Sequence, residues 1–494
     1  MNAQSPKIES VIVGLGTTGL SVARYLASQQ AKLQAKYKQA FAVVDSRESP
    51  PGAEELKKQY TDVPYHFGDF DTPWMNSAKQ LVVNPGIAIA TAEIQQAQQA
   101  GVQIIGDIEL FARHIAERKG DAKPIIAITG SNGKTTVTDL LDLMAKKSGI
   151  KVATGGNIGT AALDLLSSED TELFVLELSS YQLETTPSLQ TLAAVILNIS
   201  EDHLDRYNNN FEEYAQAKAV IYHNCEHIIC NREDAYSLRF AKQAGAEKVI
   251  TSFGLDEPEE GNYGLRQQDG REWLVKGNKL LMLSDDVKLP GQHNIANALA
   301  ALALGEVAGL EFSAMLSAIR EYDGMAHRTQ LLTEIEGVNW YNDSKGTNVG
   351  ATLAALSGLP GKTVLIAGGQ GKGADFLPLA EVINKKARGV VLMGEDADKI
   401  AAVIDASIAT IFVSDMSEAV SKAYQLAKGS ERDNVLLSPA CASFDMFENY
   451  VKRGDAFINE VSKLEKNIKK SVTDLVGEAQ VAKTSKTKKG VENG

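Results

Sequence analysis

At 494 residues the chain is too long for one ordinary core, and about two to four domains are expected of it. Its hydrophobic share of 44% marks a chain that folds, while a formal net charge of −13 argues against a general nucleic-acid binder. Three sparse cysteines, Cys225, Cys230 and Cys441, fit a reducing compartment; no apolar run reaches transmembrane length, and Met1–Glu9 lacks a signal-peptide core. A soluble cytoplasmic protein without a membrane span is the expectation.

The first predicted strand, Ser10–Val13, runs into Gly14-Leu15-Gly16-Thr17-Thr18-Gly19 and then a helix over Leu20–Ser28. Glycines at 14, 16 and 19 match the dinucleotide fingerprint. What such a turn recognises is a diphosphate at a helix N-terminus, whether in NAD or in a UDP-sugar. The next strand, Phe41–Asp45, ends on an acid followed by Ser46-Arg47-Glu48, where the arginine could pair with a phosphate or a uracil carbonyl. Asn84-Pro85-Gly86 closes the strand Leu81–Asn84 at the edge where α/β ligands sit, and a plain tight turn is an equal reading of it. A polar segment near Ala112–Lys123 marks the first domain boundary.

The apolar strand from Ile125 then delivers Gly130-Ser131-Asn132-Gly133-Lys134-Thr135-Thr136, and a helix follows over Val137–Lys147. This is an ATP-binding P-loop, although Ile128 stands where the usual pattern has glycine. Backbone N–H groups of the loop close on phosphate oxygens, Lys134 reaches the β/γ-phosphates, and the Thr135 hydroxyl sits on Mg²⁺. Glu177 closes the strand Leu173–Leu178 as a second expected Mg²⁺ contact. The strand Ala194–Asn198 leads to Glu201-Asp202-His203, where a histidine among carboxylates is a ligand candidate. His223 and His227, with Cys225 and Glu226 between them, match no complete zinc site and are read as capping the end of a helix.

Thr251–Pro290 has short alternating runs and reads as a small antiparallel insertion. In Gly291-Gln292-His293-Asn294, with Asn297 three residues on, two amides share one helix face and suit an adenine edge. A second boundary falls near Tyr322–Arg328. Beyond it come His327-Arg328, the polar run Asn342-Asp343-Ser344-Lys345-Gly346-Thr347, the glycine turn Gly368–Gly373 after the strand Thr363–Ala367, and Ser438–Phe447 after Asn434–Leu437. Strands alternating with alanine-rich helices throughout indicate α/β domains with parallel sheets, three in series. Residues 472–494 read as a disordered tail.

Taken in order, these motifs resemble the Mur ligase family, which builds the peptide stem of peptidoglycan, over nearly the whole chain to about residue 460. The resemblance rests on the P-loop, Gly155-Gly156-Asn157-Ile158-Gly159, Glu177, the Glu-Asp-His of 201–203, Gly-Gln-His-Asn, His-Arg and Asn-Asp-Ser-Lys. The glycine turn at the start and Ser438-Pro439-Ala440-Cys441-Ala442-Ser443-Phe444-Asp445 look like the D-glutamate-adding branch, with Gln330 and Met446 as departures.

The resemblance implies an N-terminal Rossmann-like UDP-binding domain (1–112), a central P-loop domain (113–325) and a C-terminal Rossmann-like amino-acid domain (326–471). It implies ATP-dependent joining of UDP-N-acetylmuramoyl-L-alanine to D-glutamate through an acyl phosphate, by a monomer that closes its domains against water. Lys134, His203 and Lys218 would be catalytic, Lys218 as a carbamate, and Thr135, Glu177, His203 and Lys218 would serve two Mg²⁺ sites. The P-loop, Asn294, Asn297, Arg328 and Asp343 would hold ATP. Gly16, Thr17, Thr18, Asp45, Arg47, Asn84, Gly86 and Asn157 would face the UDP-substrate, and Lys345, Thr347, Lys372, Ser443 and Phe444 the D-glutamate. A folylpolyglutamate-type ligase is the same-class rival, with no reason to carry the first glycine turn. An NAD-dependent oxidoreductase or sensor is the other, and it leaves the P-loop unexplained.

Overall fold

A computed structural model describes residues 8–32, 40–118, 120, 122–245, 247–429 and 433–489. Most of the leader reading, Met1–Lys7, and the last five residues of the tail lie outside them. The described residues gather into two compact units. One runs to Leu289 and includes Asn294–Tyr322; the other holds Pro290–His293 and the chain from Asp323 onward.

The first unit contains two sheets. The N-terminal one has β1 (Ile8–Val13), β2 (Ala40–Asp45), β3 (Tyr65–Phe67), β4 (Gln80–Val83) and β5 (Gln103–Ile105), all parallel, in the order β3-β2-β1-β4-β5. Alternate residues sort into two cores. Val11, Val13, Val44, Leu81 and Val83 fill one face, while Ile12, Phe41, Val43 and Val82 fill the other. That is why these strands read as continuous apolar runs. Chain order reverses at β1, so the turns after β1 and β4 are neighbours at the carboxyl edge, where ligands of such sheets bind.

Gly14 takes a φ of +95° there, and the helix Thr17–Lys32 starts three residues earlier than expected. Asn84 Nδ2 donates to the carbonyls of Val13 (3.1 Å) and Gly14. A Cβ on Gly19 would press into the Gly14 carbonyl oxygen and the Asn84 amide. Gly19→Ala is therefore expected to cost about 1–3 kcal/mol and to lower the thermal midpoint. A midpoint unchanged from the parent would mean that the turn gives way freely.

The second sheet comprises β6 (Ile125–Thr129), β7 (Val152–Gly156), β8 (Leu173–Glu177), β9 (Thr191–Ile196), β10 (Cys225–Asn231), β11 (Val249–Phe253), β12 (Tyr263–Gln268), β13 (Arg271–Lys276) and β14 (Lys279–Leu283). Their order is β14-β13-β12-β11-β10-β9-β6-β8-β7. Strands β12 to β14 form the expected antiparallel ladder, but it is continuous with the main sheet. Phe253 of β11 pairs in parallel with Tyr263 of β12. Arg232 fastens the junction by donating to the Tyr263 carbonyl and to Asp256 Oδ1, each at 2.7 Å.

One reading needs correction. Cys225 and His227 lie on β10, paired with β9 and β11, and not at a helix end; His227 Nε2 is 2.9 Å from Thr251 Oγ1. Only His223 follows a helical turn, Val220–Tyr222. The buried Ile228-Ile229-Cys230 run carries this segment into the sheet.

The boundary expected at 112 falls within the helix Asp107–Glu117, which packs on both sheets' domains. Phe111 meets Phe174 of β8 edge-to-face, with centroids 5.2 Å apart, and Arg113 Nη1 donates to Gln80 Oε1 at 3.1 Å.

In the second unit, β15 (Gln330–Ile335), β16 (Val338–Asn342), β17 (Thr363–Ala367), β18 (Ala387–Leu392), β19 (Ala409–Phe412) and β20 (Asn434–Leu437) form one sheet. Its order is β15-β16-β20-β17-β18-β19, parallel except for the β15–β16 pair. Because β16, β20 and β17 are adjacent, the loops after them meet at one carboxyl edge. The last helix, Tyr450–Lys489, takes in residues 472–489 of the expected tail. Lysine, alanine, glutamate and threonine without proline are compatible with a helix even where net charge suggests disorder. Among the described residues, no helix is long and apolar enough to cross a membrane.

Candidate active site

The P-loop follows β6, all five of whose residues are buried. Three residues hold it from outside. Asn132 N–H donates to Asn198 Oδ1 (2.8 Å), and Asn198 Nδ2 returns to the Asn132 carbonyl (3.0 Å). Ser131 Oγ lies 2.8 Å from the Tyr214 hydroxyl and accepts the Ser200 N–H at 3.0 Å. Gly133, at φ +85°, caps the helix Lys134–Lys147, and a Cβ on it would stand 2.5 Å from Asn297 Oδ1. Asn297 Nδ2 in turn donates to Asn294 Oδ1 at 3.3 Å. Both asparagines are buried, and Asn297 faces the loop.

Two amines converge on one oxygen. Lys134 Nζ donates to the Gly130 carbonyl at 2.7 Å and to that of Ser131 at 3.0 Å, and Lys218 Nζ donates to the same Gly130 oxygen at 3.0 Å. Lys218 is 2% exposed, with its Nζ 4.7 Å from the Tyr214 ring centroid. Burial, and then the charge of Lys134, pull the Lys218 ammonium well below the ordinary lysine range, against the opposing carboxylates of Asp202 and Glu177.

Glu177 ends β8 and is 1% exposed. Its Oε1 accepts Asn157 Nδ2 at 2.9 Å and its carbonyl accepts the Asn157 N–H at 2.8 Å, while Oε2 has no hydrogen-bond partner among the described residues. A buried oxygen without a donor costs about 1–3 kcal/mol, a cost that a divalent cation removes. With the Thr135 hydroxyl buried at the start of the helix, the residues fit Mg²⁺. His203 sits in left-handed backbone (φ +53°), its Nε2 3.6 Å from Asp202 Oδ1 and its ring 5.3 Å from that of Tyr181. No three His, Cys, Asp or Glu side chains converge among the described residues. A Mg²⁺ held here would draw on phosphate and water oxygens as well, as that ion commonly does.

At the N-terminal sheet, Asp45 Oδ2 accepts the Leu15 N–H (2.7 Å) and Arg47 Nη2 (2.7 Å), while Oδ1 accepts the Arg47 N–H and Nε, each at 2.9 Å. Burial opposes the charge on Asp45, but Arg47 and the two N–H groups outweigh it and hold the carboxyl below its usual range. Both oxygens are thereby spent on the protein, and the acid is not open to a ribose as an NAD site requires. A Cβ on Gly16 or Gly86 would meet open space, Thr17 is exposed and Thr18 half-buried. Arg206 donates to the Pro85 carbonyl at 3.0 Å while stacking on Tyr181, 4.2 Å from its centroid.

In the second unit, Asp343 is buried; Oδ1 accepts the Thr329 N–H (3.0 Å) and Oδ2 the Ser438 hydroxyl (2.6 Å). Burial raises this carboxyl to about 6, against the Ser438 and Thr329 donors. Arg328 beside it is half-buried. Lys345 Nζ lies 4.1 Å from the Tyr450 centroid, and Lys372, at φ +51°, points its Nζ toward the Phe444 ring at 5.9 Å. Thr347 donates its N–H to the Lys345 carbonyl at 2.7 Å. Ser443 is buried, whereas Phe444 is 66% exposed. The three loops expected to face the amino acid do share one edge.

Three family models match in order: the Mur ligase MurD-like N-terminal domain over residues 8–106, the Mur ligase middle domain over 128–305, and the Mur ligase glutamate ligase domain over 327–441. A protein of Nitrosococcus oceani is 48% identical over 92% of this chain and 96% of its own length. Its counterpart in Pseudomonas aeruginosa is 46% identical over 92% and 98%. Both are named UDP-N-acetylmuramoylalanine–D-glutamate ligase. The chain belongs to the Mur ligase family. Solved structures agree on the fold. The UDP-N-acetylmuramate-alanine ligase of Thermotoga maritima gives a TM-score of 0.56 at 20% identity, covering 92% of this chain and 99% of that one. A pseudomurein peptide ligase of Methanothermus fervidus gives 0.54 at 16%, with 92% and 99% covered.

Several working residues escaped the sequence reading. Tyr214 lies four residues before Lys218, hence on its helical face, and that spacing was a usable signal. Asn198 lies two residues past the central strand β9, another usable one. Arg206, Tyr450 and Arg453 offered none, since a charge or tyrosine on a helix reads as a solvated face.

Proposed function

We propose that this chain adds D-glutamate to UDP-N-acetylmuramoyl-L-alanine at the expense of ATP. The observation that carries this reading is the likeness, across all three domains, to proteins named for that reaction. It includes the N-terminal domain, which a folylpolyglutamate-type ligase has no reason to carry. The unpaired, buried cysteines accord with a cytoplasmic setting, where ATP and nucleotide sugars are available, and we expect a monomer.

A carboxylate is a poor electrophile, so the L-alanine carboxylate first takes the γ-phosphoryl group, releasing ADP. The D-glutamate amine then displaces phosphate from the acyl phosphate, forming the amide. The loop N–H groups of 130–136 and the Lys134 ammonium neutralise the phosphoryl oxygens. Bound Mg²⁺ supplies further charge neutralisation on those oxygens. Thr135 and the free Glu177 Oε2 would hold it, with His203 serving a second ion.

Lys218 is suited to carry CO₂: burial and the Lys134 charge favour its unprotonated amine, the nucleophilic form, and R–NH₂ plus CO₂ gives R–NH–COO⁻ and a proton. The product turns a repelled cation into an oxygen ligand. Asn294 and Asn297 take adenine; Arg328 and Asp343 are assigned to the nucleotide by motif alone. Gly16, Thr17, Thr18, Gly86 and Asn157 meet the UDP-substrate, with Asp45, Arg47 and Asn84 shaping the turn. Lys345, Thr347, Lys372, Ser443 and Phe444 meet D-glutamate.

The test is ADP release with UDP-N-acetylmuramoyl-L-alanine while the amino acid is varied. L-glutamate and D-alanine should run at roughly a hundredth of the D-glutamate rate or less, because a carboxylate moved from its charge-assisted partners loses far more than a methylene does. Equal turnover of D- and L-glutamate would end the assignment.

A further inference from the structure

One buried charge has no place in the chemistry above. Arg453, in the first turn of the helix Tyr450–Lys489, is 1% exposed, and among the described residues it makes no ion pair. Its donors go to loops. Nε donates to Ser344 Oγ at 3.1 Å; Nη2 donates to the Ser344 carbonyl at 2.9 Å and to the Cys441 carbonyl at 3.1 Å. Nη1 has no acceptor among the described residues and borders a third loop, for a Cβ on Gly369 would stand 3.3 Å from it. Burial pulls the guanidinium down to about 10, with Cys441, Asp445 and Asp343 favouring the charge from a distance.

The three loops are those after β16, β20 and β17. Ser344 precedes Lys345, Cys441 lies two residues before Ser443, and Gly369 three before Lys372. We propose that Arg453 is a positioning residue of the amino-acid site. Its planar fork sets loop 441–444 against loop 344–347, and with it loop 369–372, which the Gln370–Ala442 backbone pair (3.0 and 2.9 Å) ties to 441–444, and through them the groups that meet the incoming amino acid. This rests on the proposed function.

The chemistry calls for arginine. A guanidinium presents five donors in a fixed plane, so that Nε and Nη2 grip Ser344 together while Nη2 also reaches Cys441; an ammonium offers donors from one atom only and fixes no such plane. The same helical turn has other ties to the β16 loop. Ser344 Oγ donates to the Tyr450 carbonyl at 2.8 Å, and Asn342 Nδ2 to that of Gly454 at 3.3 Å. Losing Arg453 therefore frees the 441–444 and 369–372 loops against 344 and leaves the helix docked.

The experiment is steady-state kinetics of Arg453→Lys in the full chain, each substrate varied in turn. The Michaelis constant for D-glutamate should rise at least about tenfold, while those for ATP and the UDP-substrate stay within about threefold of the parent. Phe457→Leu is the comparison, since it loosens the packing on Trp340 (centroids 6.1 Å apart) without touching a loop. It should lower the thermal midpoint and leave the D-glutamate constant alone.

An unchanged D-glutamate constant in Arg453→Lys, or an equal rise in Phe457→Leu, overturns the proposal. Should Arg453→Lys fail to fold, Ser344→Ala removes the acceptor of Nε together with the hydroxyl's bond to the Tyr450 carbonyl and keeps both Nη2 bonds, and a severalfold rise is expected; no rise is equally fatal. A parent protein without D-glutamate-dependent ADP release would remove the functional reading itself, and this inference with it. A normal parent with unchanged variants removes the inference alone.

Discussion

Lys134→Ala is expected to lower kcat by at least about 100- to 1000-fold, the usual loss when one preorganised charge on a reacting phosphoryl group is removed. The fold should survive. Lys134 is half-buried at the start of its helix, and it donates to two carbonyls of its own loop. The loop keeps its shape through Asn198, Ser200 and Tyr214. ADP release and a thermal melt, measured together, decide the matter. Substantial turnover by a protein that melts like the parent would show that this loop is not the catalytic ATP site.

Lys218→Ala should be nearly as damaging, losing about 100-fold or more of kcat, and its signature is rescue. If the working group is a carbamate, acetate or formate added to the variant should restore part of the activity by returning an oxygen ligand to the vacated position. The side chain's setting motivates the expectation: it is buried, near Glu177 and Asp202 in charge, and its amine competes with Lys134 for the Gly130 oxygen. Alanine also removes a buried stem packed on Tyr214, so a modest drop in thermal midpoint is expected beside the loss of rate. Near-normal activity would discard the role, and loss without rescue by any short acid would count against the carbamate.

Much of the site was legible because its chemistry is local. A phosphate cradle needs glycines, a lysine and a hydroxyl at fixed offsets after a strand, and 130–136 has them in order. Glu177 was legible for a similar reason, as a carboxylate ending a buried strand. The ladder β12–β14 was legible in its alternation, but its continuity with β11 was not, because one pair, Phe253 with Tyr263, makes the join. His227 was misplaced because Cys-Glu-His-Ile-Ile carries no periodicity that separates a strand from a helix end over so short a span.

Roles proved harder than elements. Asp45 and Arg47 stand where a ligand-binding pair is expected, and they also bond each other and the Leu15 N–H. A sequence shows which donors and acceptors exist, not which are already paired.

The residues in order determined that this is a three-domain α/β chain, that one of its turns is built for phosphate, and that its motifs run in the sequence of the Mur ligase family. Periodicity, turn chemistry and charge act over a few neighbouring residues, so they survive in one dimension. Only the tertiary structure decided that Lys218 and Lys134 meet at one carbonyl oxygen across 84 positions of chain, as the difference 218 − 134 gives. Only it placed Arg453 among loops that begin 109 and 12 residues away, at Ser344 and Cys441. Burial is the reason. A cation's ordinary partner is water, and it takes on carbonyls, lower basicity and a fixed position only after distant strands have closed the water out.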